Sequence, residues 1–345
     1  MTPVTSRGPG RDRLTLVGDL SESELLARFV PLLGAPGAAL VGPGDDCAVL
    51  SAPDGKVVVS TDVLVEDVHF RRAWSSAREV GRRAAAQNLA DAAAVGAVPT
   101  GLVVSLVLPG ELPAVWVEDL ARGLDDACRP WGAGVVGGDL AGGPLVVLAV
   151  TVLGDLEGRA PVLRSGARPG DVVAHAGVRG RSAAGFALLD AGRADDARVP
   201  ADVRAVVLDA FRVPSPPVGA GRAAAVAGAT AMLDVSDGLL RDAGRIASAS
   251  GVRLAFDDPA DVLADEVALL SPVAAALGAD ATQWVLAGGE DHGMLATFPP
   301  GVALPDGFRT LGRVEELPTD GARVTVGGRA VRAGGGWDHF GPGKD

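Results

Sequence analysis

The sequence predicts a mixed α/β (α+β) protein of two domains, and three observations carry that expectation. Its 345 residues exceed the usual size of one hydrophobic core. Segments with apolar residues at helical spacing alternate with short apolar runs of strand length. Acidic or glycine-rich turns close many of those runs, which is where α/β proteins bind ligands. The expected division is a flexible arm over residues 1–19, an N-terminal domain of mixed sheet and helices over 20–158, and a C-terminal α/β domain over 159–345.

Ser21 with Glu24 forms a capping box ahead of Leu25, Leu26, Phe29 and Val30, so a first helix starts there. Ala48 to Leu50 and Val57 to Ser60 flank a Pro-Asp-Gly turn and suit a hairpin. Ser76 with Glu79 opens a second helix that stops at Gly96 and places Asn88 and Asp91 on one face. Leu102 to Leu108 reads as a buried strand, Pro113 to about Trp131 as a helix, and Leu145 to Leu153 as a strand. Between the last two, Gly134 to Pro144 reads GVVGGDLAGGP, a glycine-rich turn around Asp139 that would let backbone approach a ligand.

The stretch Arg164 to Asp171, RSGARPGD, breaks the apolar periodicity and marks the junction. Beyond it come a strand at Val172 to Ala174 and helices at Ser182 to Leu189 and Ala201 to Phe211, the helical region ending at Pro214, Pro216 and Pro217. Ala231 to Val235 reads as a strand that runs through Asp234 into Ser236, Asp237 and Gly238, and then into a helix ending at Gly251. Trp284 to Ala287, Met294 to Phe298 and Val324 to Val326 read as sheet.

Composition narrows the function. With 31 Lys plus Arg against 43 Asp plus Glu the net charge is −12, which disfavours nucleic acid and anionic membranes and suits divalent cations. No run reaches the length of a membrane span, and the first twenty residues lack the apolar core of a secretory signal. Two cysteines, Cys47 and Cys128, are too few for a disulfide framework, so a cytoplasmic location is expected. The lysines are Lys56 and Lys344, neither placed for a Walker-type loop. A nucleoside triphosphate would have to be met by metals, arginines and backbone N–H groups.

The stretch Gly42 to Phe70 supplies the most oxygen ligands. It holds Asp45 and Asp46 in a glycine turn, Ser60, Thr61 and Asp62 at a strand end, and His69 just beyond. Carboxylates and hydroxyls are what a small hard dication prefers. After the later strand, Asp234 and Asp237 stand beside a helix N-terminus, a natural place for phosphate oxygens. These features point to metal-assisted phosphoryl transfer. Cys47 beside Asp46 is not read as a nucleophile, because transfer between two phosphates needs no covalent intermediate and no histidine neighbours it in sequence.

The ordered set GDDCAVL, STDVLVEDVHF, NLADAAAVGAVP, GGDLAGGP, RSGARPGD, LDVSDGLLRD, AGGEDH and GWDHF closely resembles thiamine-monophosphate kinase, over almost the whole chain from about Ser21 to Phe340. The resemblance implies two α/β domains with an ATP site between them and a homodimer through the N-terminal domains. It implies direct transfer of the ATP γ-phosphoryl group to thiamine monophosphate, with several Mg2+ ions and K+ as a further cation. Position by position, Asp46, Ser60, Thr61, Asp62, Asp91, Asp139, Asp234 and Asp237 match the metal set. Gly138, Asp139, Arg164 and Ser236 match ATP contacts, and His69, Glu290 and Trp337 match thiamine-phosphate contacts. The chain departs from the family's pattern at His292 and Gly293, where an aromatic and then an acidic or polar residue are usual. The competing readings are an ATP-dependent synthetase of the same superfamily, of the aminoimidazole ribonucleotide or selenophosphate type, and a non-catalytic nucleotide or metal-binding scaffold.

Overall fold

In the computed structural model, residues 15–43, 47–319 and 321–331 are described. Residues 15–19 of the expected arm dock on the N-terminal half, where the N–H groups of Val17 and Gly18 donate to Leu112 and Gly110 at 2.7 Å each. Helix α1 (Glu22–Phe29) begins at the Ser21 capping box, with Ser21 N–H donating to Glu24 at 2.8 Å. Strands β1 (Ala39–Val41) and β2 (Val49–Leu50) pair with each other, so the expected hairpin between Ala48 to Leu50 and Val57 to Ser60 does not form. A Pro-Asp-Gly turn signals a reversal without choosing a partner. Strand β3 (Val58–Val65) instead takes a long antiparallel partner, paired from Val58 with Gly154 to Val65 with Val147.

Helix α2 (Ala77–Ala94) starts at the second capping box, where Ser76 N–H donates to Glu79 at 2.6 Å. Then come β4 (Val98–Leu108), α3 (Ala114–Cys128), β5 (Val135–Gly142) and β6 (Val147–Asp155). The four-stranded sheet runs β3-β6-β4-β5, and β4 and β5 are its parallel pair, joined by the α3 crossover. The glycine-rich stretch expected as a turn is therefore mostly strand β5, at a sheet edge. A Cβ on Gly138 would lie 1.9 Å from the Val104 carbonyl oxygen, so this glycine is required by the neighbouring strand. Helices α2 and α3 pack together on one face of the sheet. The other face leaves Val57, Val59 and Val63 exposed at 58%, 62% and 46%.

The C-terminal half comprises β7 (Val172–Ala176), α4 (Arg181–Asp190), α5 (Ala201–Arg212), α6 (Val218–Val226), β8 (Ala231–Val235), α7 (Leu239–Ser250), β9 (Val252–Phe256), α8 (Pro259–Val262), α9 (Ala264–Leu277), α10 (Ala281–Ala287), β10 (Gly293–Phe298), β11 (Phe308–Glu316), β12 (Val324–Val326) and β13 (Arg329–Ala330). Its seven strands are ordered β13-β12-β9-β11-β7-β10-β8. Trp284 to Ala287, expected as sheet, is the end of α10, because four apolar residues alone carry no period. The prolines do end α5, yet α6 begins directly after Pro217.

Two cores hold the molecule. One lies between the seven-stranded sheet and helices α4, α5, α7, α9 and α10, around Leu188, Val207, Leu233, Ile246 and Leu295. The other fills the N-terminal half and continues into Ala174, Ala176, Met232, Met294, Ala296 and Phe298, on the opposite face of the second sheet. Alternate residues of β10 thus enter different cores, which is why Gly293–Phe298 is buried throughout. Helix α2 packs against β3, β4 and β6 on one side and α6 and β8 on the other. Among the described residues no helix is long and apolar enough to cross a membrane.

Candidate active site

The candidate site forms where β3, α2, the end of β8 and the 288–292 turn meet. Along β3 the side chains alternate, so Ser60 and Asp62 face α2 while Thr61 faces away, its hydroxyl donating to the Val150 carbonyl at 3.0 Å. On α2, Arg83, Gln87 and Asp91 follow at four-residue spacing and form one stripe. Gln87 Nε2 donates to Asp62 Oδ2 at 3.3 Å, and Ser60 Oγ donates to Asp91 Oδ2 at 2.7 Å. Asn88, expected beside Asp91, is buried and donates to the Ala84 carbonyl of its own helix at 2.8 Å.

Asp234 is the penultimate residue of β8, with His292 Nδ1 at 3.1 Å from its Oδ2. Burial raises Asp91, and the charges of Asp234 and Asp62 add to it, bringing its carboxyl to about 7. Asp62 is raised for the same first reason, with Asp234 contributing. Burial opposes charge on His292, but its bond to Asp234 and the charges of Asp234, Glu290 and Asp91 raise it to about 9. Carboxylates that disfavour one another's ionisation are relieved by a cation, and an all-oxygen set with Ser60 suits magnesium. Among the described residues no three His, Cys, Asp or Glu side chains gather tightly enough to enclose one ion.

These shifts contribute to the pH dependence of the metal-free protein. Between 3.8 and about 7 the folded Asp91 holds a proton that the unfolded chain has lost, so stability falls as pH rises through that window. His292 gives stability that is complete below 6.5 and disappears as pH rises to about 9, which is the same sign. In EDTA the Tm is therefore expected to fall steadily from about pH 5 to about pH 8. Asp91→Asn should make the slope below neutrality shallower, with Asp62, Asp242 and Asp291, also raised by burial, keeping the rest; an unaltered slope in that variant would refute the coupling.

Beside the carboxylates lies a cleft of about 450 Å³, lined by Asp67 to Arg71, Trp74, Arg83, Phe186, Phe211 and Glu290 among others. Trp74, Phe186 and Phe211 form an aromatic cluster with ring centroids 5.7 to 6.1 Å apart. Arg71 stands 4.1 Å above the Trp74 ring. His69 Nδ1 accepts the Val65 N–H at 3.0 Å, so the neutral ring carries its proton on Nε2. Glu290 is ion-paired with Arg83. Burial works to raise Glu290, but Arg83, His292 and His69 hold it below the usual carboxylate range. Glu290 and His292 both have positive φ, 70° and 52°, in a turn pinned by Glu290 N–H to the Ser236 carbonyl at 2.8 Å.

Other sequence-predicted residues are placed elsewhere in the chain. Asp237 pairs with Arg245, and its N–H donates to Asp242 at 3.0 Å. Asp139 lies on β5, and a row of paired residues runs from it through Ser105 and Ala149 to Val63 on β3. Three strand spacings, roughly 14 Å, thus separate Asp139 and Gly138 from Asp62 within one chain. Arg164 is exposed near the start of β8, the end opposite Asp234, its carbonyl accepting the Ser250 hydroxyl at 3.2 Å. Asp46 and Trp337 lie outside the described residues.

Sequence reasoning did not single out Arg83, Gln87, Trp74, Phe186 or Phe211. The four-residue stripe leading to Asp91 was a usable signal for the first two. The aromatics carried none, since single aromatic residues in or beside helices read as core.

Residues 44–156 match the family described as AIR synthase related protein, N-terminal domain. The chain is 49% identical over 322 residues to the thiamine-monophosphate kinase of Mycobacterium tuberculosis, covering 93% of this chain and 92% of that one. Its fold is similar to the thiamine monophosphate kinase structure from Aquifex aeolicus, with 30% identity and a TM-score of 0.72 over 82% of this chain and 91% of that one. It is equally similar to a structure of AaThiL complexed with AMPPCP and TMP, at 30% identity and a TM-score of 0.72 over 86% of this chain and 91% of that one.

Proposed function

This chain belongs to the thiamine-monophosphate kinase family, and from that premise we propose how its own residues divide the reaction. It is an ATP-dependent kinase that converts thiamine monophosphate to thiamine diphosphate with release of ADP. The observation that carries the division is the α2 stripe, which binds Asp62 through Gln87 one helical turn from where it binds Glu290 through Arg83. One rigid helix thus joins the phosphate end of the site to the aromatic end.

The acceptor is a phosphate monoester, whose second pKa near about 6 leaves it largely dianionic at neutral pH. It needs little help from a general base, and anion repulsion is the main obstacle. Magnesium ions held by Asp62, Asp91 and Asp234 with Ser60, Thr61, Asp46 and Asp139 would neutralise that repulsion. The chain's own part is to fix both phosphates in line. Ser60 and Gln87 orient the Asp91 and Asp62 carboxylates, and His292 balances charge at Asp234. The aromatic cleft takes the thiamine end, where a ring face against the thiazolium contributes about 0.5–2 kcal/mol. His69 and Glu290 supply polar contacts there, and Trp337 is assigned to the same end by family likeness. Gly138, Arg164 and Ser236 are assigned to the nucleotide, and Asp237 to a further ion, on the same basis.

The working unit in this reading is a homodimer. The exposed valine face of the N-terminal sheet offers the contact, and Asp139 is too far from Asp62 to share an ion in one chain. Two copies meeting with the β3 edge of one against the β5 edge of the other would bring Asp139 of the second copy to Thr61 and Asp62.

The direct test incubates purified protein with ATP, Mg2+ and thiamine monophosphate. Thiamine diphosphate and ADP are expected in equal amounts. ADP release without thiamine diphosphate would overturn the reading.

A further inference from the structure

We propose that Arg83 is a positioning residue for substrate recognition, setting both Glu290 and the Phe211 ring at the thiamine end of the cleft. The inference rests on the reading of that cleft as the thiamine-phosphate site. Arg83 is only 2% exposed, although it is a long cation on an alanine-rich helix. Such a group is retained where its planar fork holds specific partners. One terminal nitrogen binds the Glu290 carboxylate, and the other donates to the Phe211 carbonyl at 2.6 Å. The guanidinium carbon also sits 4.7 Å from the centre of the Phe211 ring.

Both partners are groups that need an external hold. Phe211 lies in the last turn of α5, where carbonyls have no partner within the helix. Capping that carbonyl fixes the end of α5 and the direction of the ring beside Trp74 and Phe186. Glu290 sits at positive φ in a turn with few backbone alternatives. The two terminal nitrogens of the fork are thus engaged by two different residues, one on α5 and one in the 288–292 turn. Arg83 also joins α2 of the N-terminal half to α5 and the 290 turn of the C-terminal half, so it spans the two walls of the cleft.

The test is steady-state kinetics with each substrate varied in turn. Arg83→Met should raise KM for thiamine monophosphate on the order of tenfold or more and leave KM for ATP within about twofold. Arg83→Lys should recover part of the loss, because an ammonium pairs with Glu290 but cannot fork to the Phe211 carbonyl as well. The double variant Arg83→Met/Glu290→Gln should fall short of the product of the two single effects. Equal rises in both KM values, a fall in kcat alone, or a fully additive double variant would overturn the proposal. If Glu290→Gln raises KM for thiamine monophosphate while Arg83→Met does not, this proposal alone fails; if Glu290→Gln is silent, the cleft reading fails and takes this proposal with it. Should Arg83→Met not fold, the same cycle with Arg83→Lys decides between these results.

Discussion

Asp62→Asn is expected to lower kcat by about a thousandfold or more, the scale of losing a principal electrostatic contact in the transition state. The same variant should not lose stability when metal is removed. Asp62 is a carboxylate whose ionisation burial and Asp234 oppose, so replacing it with a neutral isostere relieves a repulsion. The hydrogen bond its side chain accepts from Gln87, at 3.3 Å, is long and can be remade by the amide oxygen. In EDTA the Tm should therefore hold steady or rise by a few degrees, on the order of 2 °C per kcal/mol for a chain of this size. Inactivation joined to an unchanged or higher Tm marks Asp62 as functional. A lower Tm with loss of circular-dichroism signal would make it structural.

Mixing two inactive variants, Asp62→Ala and Asp139→Ala, should restore activity. Each alone spoils every site. If a site takes Asp62 from one chain and Asp139 from the other, a mixed dimer contains one intact site and one doubly damaged site. Random pairing then restores about a quarter of the parent activity. The control is Asp62→Ala with Asp91→Ala, which should stay inactive, because Ser60, Asp62 and Asp91 are joined within one chain. Coexpression followed by assay of the purified dimers measures both. A dead Asp62→Ala and Asp139→Ala mixture would place the two aspartates in service of the same chain and require β5 to approach β3 by another route.

Of the residues singled out in the sequence, the structure brings Ser60, Asp62, Asp91 and Asp234 into one candidate site. Capping boxes at Ser21 and Ser76 located two helices, and the run into Asp234 located a strand of the expected length. Pairing was not legible. The turn between β2 and β3 gave no sign that β3 would choose β6, since strand partners are set by burial far along the chain. The glycines around Asp139 concealed a strand, because close packing against Val104 and a ligand-binding turn call for the same residue. The distance between Asp139 and Asp62 was hidden for the same reason. Local sequence placed aspartates at strand ends and turns, but only the order β3-β6-β4-β5 reveals that two of them occupy opposite edges. The ion pair of Asp237 with Arg245, two turns along the next helix, had no signal in the sequence.

Helix α2 packs between the two sheets, with one continuous core running from Leu64 and Leu120 to Met294 and Phe298. The boundary expected near residue 158 therefore crosses a shared core. Cutting there would leave the alanine side of α2 open to water on one fragment and the face of β8 and β10 open on the other, so neither fragment has the makings of an independent module. Unfolding should proceed as one event, and a chimera that exchanges halves between relatives must carry α2 together with the surface it fits.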